Sequence, residues 1–172
     1  MGVINRKQLI IKTYLKMKVF TTILFFAITL LSTSCSDDED NNSNQNGNGS
    51  FTAQINGTDY NAEFVNGFIV GLGTNIAISG SEANGNNIVV NFPIGAAVGD
   101  TFTVEGLEFV GSYDASDGSG ALSSEGTITI TAHDPNARTV SGTFSFIAEP
   151  LASSGTTYNI TEGSFSSSYT DL

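Results

Sequence analysis

The chain has 172 residues, of which 40% are hydrophobic and 13% charged, with 19 Gly and 3 Pro. This composition suits one soluble domain with many turns and excludes collagen and a long helix. Five of the six basic residues precede residue 19 and all 17 acidic residues follow residue 35. The body of the chain therefore repels nucleic acid phosphates and anionic lipid surfaces, and we predict no nucleic acid partner.

An uncharged run of 13 residues, residues 19–31, follows the basic head of the chain. It is too short for a membrane-spanning helix, which needs about 20 apolar residues. A positive segment, an apolar segment and then small residues are typical of a secretory signal. We predict that residues 1–34 are the signal peptide of an exported protein that starts at Met1 or at Met17, and we favour Met17.

The small residues Ser32, Thr33 and Ser34 lead into Cys35, the single cysteine of the chain. This stretch resembles the lipobox of bacterial lipoproteins, although Ser32 stands where an aliphatic residue is more usual. The resemblance implies cleavage before Cys35, whose thiol carries a diacylglycerol with acyl chains such as palmitate. The alternatives are a free buried cysteine behind an ordinary secretory signal and an uncleaved N-terminal anchor.

A short acidic segment follows Cys35 directly. It resembles the export signal that Bacteroidetes-type surface lipoproteins carry after the acylated cysteine, and this implies an outer-membrane protein that faces the cell exterior. The alternative is that the acids only keep the leader soluble and extended. The predicted export signal comprises Ser36, Asp37, Asp38, Glu39 and Asp40.

Residues 41–50 contain no apolar side chain. Such a segment buries nothing that would offset the entropy of ordering, so we predict that residues 35–50 form a lipidated and flexible linker. A random coil of this length reaches a few nanometres, at about 5 to 6 Å times the square root of the residue number.

From Phe51 onward apolar residues recur with a period of two, which is the strand signal. Turn residues at 56–58, 84–87 and 134–138 separate these runs. We predict an all-β domain over residues 51–172, an antiparallel β-sandwich or flattened barrel of about nine or ten strands. Threonines and serines on the alternate positions are expected to face solvent.

Three segments of this domain, FTAQINGTDYNA, GTITITAHDPNARTVSGTFSF and ITEGSFSSSY, resemble a family of uncharacterised Bacteroidetes lipoproteins that carry one domain of unknown function. The resemblance covers most of residues 51–169 and is weakest over residues 110–124. It implies an all-β fold and a surface location, and it assigns no catalytic residue.

His133 is the single histidine and precedes Asp134. A Ser-His-Asp triad would need a nucleophile and oxyanion donors beside the imidazole, and no G-x-S-x-G motif supports one. We interpret His133 as an ordinary residue at the end of a strand. One His with one Cys also excludes a zinc site of the usual kind, and no other cofactor is predicted except, as an open alternative, calcium.

The calcium hypothesis rests on Asp114 and Asp117 in the segment YDASDGSG, because calcium prefers carboxylate and carbonyl oxygens. The spacing differs from that of an EF-hand, and Asp and Gly also build ordinary turns. Both a calcium site and an ordinary turn fit the sequence.

Carboxylates and tyrosines offer two further hypotheses. Glycoside hydrolysis needs a pair of acids in a cleft, and we expect Glu105, Glu108 and Glu149 to be solvent-exposed instead. For a glycan surface, Tyr113 and Tyr158 are the most exposed aromatic candidates, because both fall near predicted loops.

The sequence therefore predicts a lipid-anchored protein on the exterior of the outer membrane, with a non-catalytic binding or structural domain and a protein or glycan as its partner. The alternative is a hydrolase that acts on an extracellular glycan or peptide through carboxylates or calcium.

Overall fold

A computed structural model describes residues 49–152 and 155–171. The predicted signal peptide, Cys35, the acidic segment and the linker up to residue 48 lie outside the described residues. The strands, numbered in chain order, are β1 (Ser50–Ile55), β2 (Thr58–Asn61), β3 (Phe64–Val70), β4 (Asn75–Ser81), β5 (Asn87–Pro93), β6 (Thr101–Thr103), β7 (Val110–Asp114), β8 (Gly120–Asp134), β9 (Thr139–Pro150), β10 (Tyr158–Ser168) and β11 (Thr170–Asp171).

The predicted all-β fold is confirmed. All eleven strands belong to one open sheet in the order β11-β3-β4-β5-β7-β8-β9-β10-β1-β2, and β6 pairs with β8 beside this path. The sheet is mixed, which corrects the expectation of wholly antiparallel pairing, because β11 lies parallel to β3. The short strands β6 and β11 raise the count above the nine or ten that were expected.

The sheet folds over so that distant strands share one apolar core. Phe92 on β5 packs against Phe165 on β10 with 5.8 Å between the ring centroids. Phe51 on β1 lies against the backbone of Gly80 on β4, where an added Cβ would meet the Phe51 ring at 2.5 Å. The two facing layers of the predicted sandwich therefore belong to one continuous sheet.

The predicted turns fall where the sequence places them. Asn56 and Gly57 join β1 to β2 with positive φ angles of 52° and 79°, the backbone that a two-residue Asn-Gly hairpin requires. Residues 82–86 join β4 to β5, and residues 135–138 join β8 to β9. The Asp134 carboxylate caps the latter turn by accepting hydrogen bonds from the backbone N–H groups of Asn136 and Ala137.

Strand β9 lies between β8 and β10 in the sheet. It pairs with β8 over residues 139–150 and with β10 over residues 139–148. Its inner positions, among them Phe144 and Phe146, are buried, whereas Thr143 and Ser145 are exposed. Within the part of the chain that the structure describes, no helix has the length and hydrophobicity needed to cross a bilayer.

Candidate functional site

The outer face of β8, β9 and β10 carries the candidate site, a shallow groove that we call the hydroxyl groove. It consists of two depressions, of about 350 Å³ and 250 Å³, that share Ser145 on β9. About half of its exposed lining surface is apolar, and its polar lining residues are Thr127, Thr129, Thr143, Ser145, Thr161, Ser164, Asn159, Glu125 and Glu162.

Strand irregularities on both sides of β9 shape this groove. The β8 register shifts between Ser123 and Glu125, and the β10 register shifts between Ile160 and Gly163. Glu162 has a φ of 52°, which is uncommon for a residue other than glycine. Bulges of this kind redirect side chains and are frequent beside functional sites. They bring Glu125 and Glu162 to the groove from opposite sides of β9.

Two glycines allow the strands to approach closely below the groove. A Cβ on Gly163 would lie 2.4 Å from the Phe144 ring, and a Cβ on Gly126 would lie 2.4 Å from the Cβ of Phe146. Gly126 also has a φ of 145°, a backbone conformation that glycine tolerates best. The aromatic residues of β9 therefore fix the floor of the groove from the core side.

Two pairs of hydroxyl groups at the edge of the groove are hydrogen-bonded to each other. Thr101 on β6 and Thr129 on β8 lie 2.9 Å apart at their hydroxyl oxygens. Ser141 on β9 donates a hydrogen bond of 3.0 Å to Ser166 on β10. Because these outer pairs satisfy one another, the hydroxyls nearer the middle of the groove, those of Thr143 and Ser145, are the better placed to bind a ligand.

His133 has a structural position at the end of β8. Its Nδ1 lies 2.7 Å from the carbonyl oxygen of Ala96, so that Nδ1 carries the proton and donates it. In the neutral ring, Nε2 accepts the hydroxyl hydrogen bond of Tyr169 at 2.9 Å. Both ring nitrogens are thus engaged in holding the segment between β5 and β6 and the end of β10 to β8, and neither is available to activate a nucleophile.

Tyr113 and Tyr158 were predicted to be exposed, and this prediction was wrong. Tyr113 lies on the inner face of β7 and is 5% exposed, because side-chain alternation places it in phase with buried Gly111. Tyr158 is half-buried and packs edge-to-face against it, with 4.6 Å between ring centroids. Burial raises the pKa of Tyr113. These two rings do not form an open platform for a sugar.

The comparison with known proteins adds a family. A family model described as a domain of unknown function (DUF6252) matches residues 41–167. The chain belongs to this family. No match was found among curated proteins or among solved structures. The match confirms the domain of unknown function that the sequence motifs indicated, and the lipoprotein character of the chain stays a prediction.

In the DUF6252 domain, Asp114 and Asp117 lie where β7 connects to β8. Asp114 is the last residue of β7. Asp117 accepts a 2.8 Å hydrogen bond from the backbone N–H of Ser119, and hydrogen bonds from the Ser119 side chain and backbone lower its pKa. Over residues 49–152 and 155–171, no three His, Cys, Asp or Glu side chains lie close enough together to hold a metal ion. The calcium hypothesis stays a prediction.

Partial burial raises the pKa of Asp114, and a hydrogen bond from Asn87 opposes this only in part. The folded state binds the proton of the Asp114 carboxyl group more tightly than the unfolded state does. The contribution of Asp114 to stability is therefore complete at low pH and is lost as the pH rises through the pKa of the folded state. We expect Asp114→Asn to raise the melting temperature at pH 7 and to leave it unchanged near pH 3.

The matched variant Asp117→Asn should lower the melting temperature at pH 7, since the folded state favours the ionised Asp117 carboxylate. Thermal unfolding at both pH values, with calcium and with a chelator, measures both effects. Calcium stabilisation of the wild-type domain that both variants lose would support calcium binding, and indifference to the chelator would remove that hypothesis.

The acids singled out from the sequence lie apart from the groove. Glu105 and Glu108 are exposed in the segment between β6 and β7, and Glu149 is exposed near the end of β9, as expected. The acids that do line the groove, Glu125 and Glu162, were missed. The alternating threonines of β8 were the sequence signal for this site, since they indicated which face of the strands is exposed to solvent.

Proposed function

We propose that this protein is a lipoprotein of the outer membrane, anchored through Cys35, facing the cell exterior and carrying a non-catalytic binding or structural domain. The observation that carries the proposal is the setting of Cys35, which follows an uncharged 13-residue run and precedes four consecutive acids. The membrane is the partner of the lipid, and a protein or a glycan is the partner of the domain.

The domain supports a binding role through its hydroxyl groove. The groove is open to solvent, four of its six Ser and Thr residues are exposed, and the single histidine is committed to structural hydrogen bonds. Activity in such a protein resides in the site and not in the all-β architecture, which hosts many unrelated functions. The groove is therefore where a ligand is to be sought.

Surface display is tested by neutralising the acids that follow Cys35. Replacing Asp37, Asp38 and Asp40 by Asn and Glu39 by Gln should leave the protein lipidated but protect it from protease added to intact cells. The matched control changes four exposed acids of the domain to amides: Asp59, Glu105, Glu108 and Glu149. The control should remain as sensitive to protease as the wild type. Equal sensitivity of the first variant would refute the export signal.

A hydrolase is the second candidate, and Glu125 and Glu162 favour it. They approach the groove from β8 and β10, two strand spacings apart and offset by about two residues along β9, which places their backbones about 12 Å from each other. Acid pairs in inverting glycosidases are separated by about 6.5 to 9.5 Å. Release of reducing sugar that both Glu125→Gln and Glu162→Gln abolish would establish the hydrolase, and binding without product release would exclude it.

A further inference from the structure

We propose that the hydroxyl groove binds an uncharged glycan, with the sugar chain lying across β9 in contact with Thr143 and Ser145. This inference rests on the proposed binding function and specifies its ligand. It depends on the charge of the groove, on its hydrogen-bonding groups, on its open shape and on the pairing of its strands.

The charge of the groove excludes an anionic ligand. Glu125 and Glu162 are the charged side chains of the groove lining. Of the basic residues, only Arg138 lies beyond residue 18, and its guanidinium forms a 2.8 Å ion pair with Asp171. An acidic polysaccharide or a polyphosphate would meet repulsion without a compensating cation.

The hydrogen-bonding groups of the groove match sugar hydroxyls. Each Ser or Thr hydroxyl donates one hydrogen bond and accepts up to two, and a carboxylate only accepts. The lining therefore has more acceptor than donor capacity, which suits a ligand with many hydroxyl donors. Glu162 and Ser164 on β10 lie across β9 from Thr127 on β8, so that donors and acceptors are available on both sides of a chain above Thr143 and Ser145.

The shape of the groove favours a polymer over a small molecule. Small-molecule sites enclose most of their ligand in a cavity of roughly 300 to 1,000 Å³. Here two open depressions of about 350 Å³ and 250 Å³ meet at Ser145. Such a surface leaves a ligand free to continue at both ends, as successive units of a polysaccharide do.

A protein ligand fits this surface less well. Protein interfaces are anchored by buried aromatic residues, methionine and arginine, whereas the exposed side chains of the groove are hydroxyls, carboxylates and an amide, with Ile147 half-buried among them. A peptide strand also cannot add to β9, because β8 and β10 already pair with it on both sides.

Binding is tested with the full lipidated protein in a detergent that contains no sugar. The probes are fluorescently labelled uncharged polysaccharides of different linkage, including dextran, mannan, xyloglucan and mixed-linkage β-glucan, with polygalacturonate as the anionic comparison. We expect at least one uncharged polymer to bind and polygalacturonate to bind more weakly.

The groove is tested with the double variant Thr143→Val and Ser145→Ala, which removes two hydroxyls and keeps the strand. The affinity for the bound polymer should fall about tenfold or more, the loss expected for two hydrogen bonds. The control, Thr139→Val, lies on β9 outside the groove lining and should bind like the wild type. Circular dichroism of both variants confirms that the fold is kept.

The inference is overturned if no uncharged polysaccharide binds, if polygalacturonate binds as tightly, or if the double variant binds like the control. A protein ligand that the double variant loses would overturn it as well. Protease accessibility on intact cells is measured on the same variants. If the wild-type protein is displayed on the surface but binds no glycan, only the glycan inference is refuted. If the wild-type protein is not displayed on the surface, the proposed function is refuted.

Discussion

Replacing Cys35 by alanine is expected to release the protein from the membrane fraction. The variant has no thiol to acylate, so that the proposed attachment through the lipid is lost. A chain without its acyl groups loses about 0.8 kcal/mol of membrane affinity for each buried methylene. The partition between membrane pellet and soluble fraction should therefore change almost completely.

The control for this experiment is Ser34→Ala, which changes the neighbouring residue and keeps the cysteine. It should stay in the membrane pellet and yield the same mature N-terminus as the wild type. A Cys35→Ala variant that remains membrane-bound after a high-salt wash would show that another segment holds the protein.

Phe51→Ala is expected to cause a large loss of stability. Phe51 is 1% exposed, and its ring centroid lies 5.2 Å from that of Phe144 and 6.4 Å from that of Phe165. Removing a buried phenylalanine costs about 3 to 5 kcal/mol, because the hydrophobic transfer energy is lost and a cavity remains. Urea unfolding of the chain from residue 36 onward measures the change.

The matched variant is Phe64→Ala at the start of β3, where the side chain is 58% exposed. We expect its free energy of unfolding to change by about 0.5 kcal/mol or less. If the two variants lose similar amounts, then the described core, which joins β1 to the opposite layer through Phe51, is not the core that stabilises the domain.

Much of the fold could be predicted from the sequence because the strand signals are local. Alternating apolar residues such as Ile128 and Ile130 on β8 specify one buried face, and Asn56 with Gly57 specifies a tight turn. These signals do not state which strands become neighbours. The pairing of β1 with β10 joins Phe51 to Phe165, and nothing local in either segment indicates this partnership.

The groove was harder to predict for a related reason. Glu162 reaches it because β10 bulges between Ile160 and Gly163, and a bulge changes the face on which following side chains lie. A strict period of two cannot place such residues. Tyr113 was misplaced because β7 is short and rich in small and polar residues, so that its strand character depends on pairing with β5 and β8 rather than on its own sequence.

The proposed lipid anchor at Cys35 is tested most directly by the intact mass of the native protein, followed by peptide mapping of its N-terminus. We predict a mature chain that begins at Cys35 and whose mass exceeds that of the polypeptide by a thioether-linked diacylglycerol. An unmodified thiol at Cys35, or a mature chain that begins upstream of it, would contradict the account.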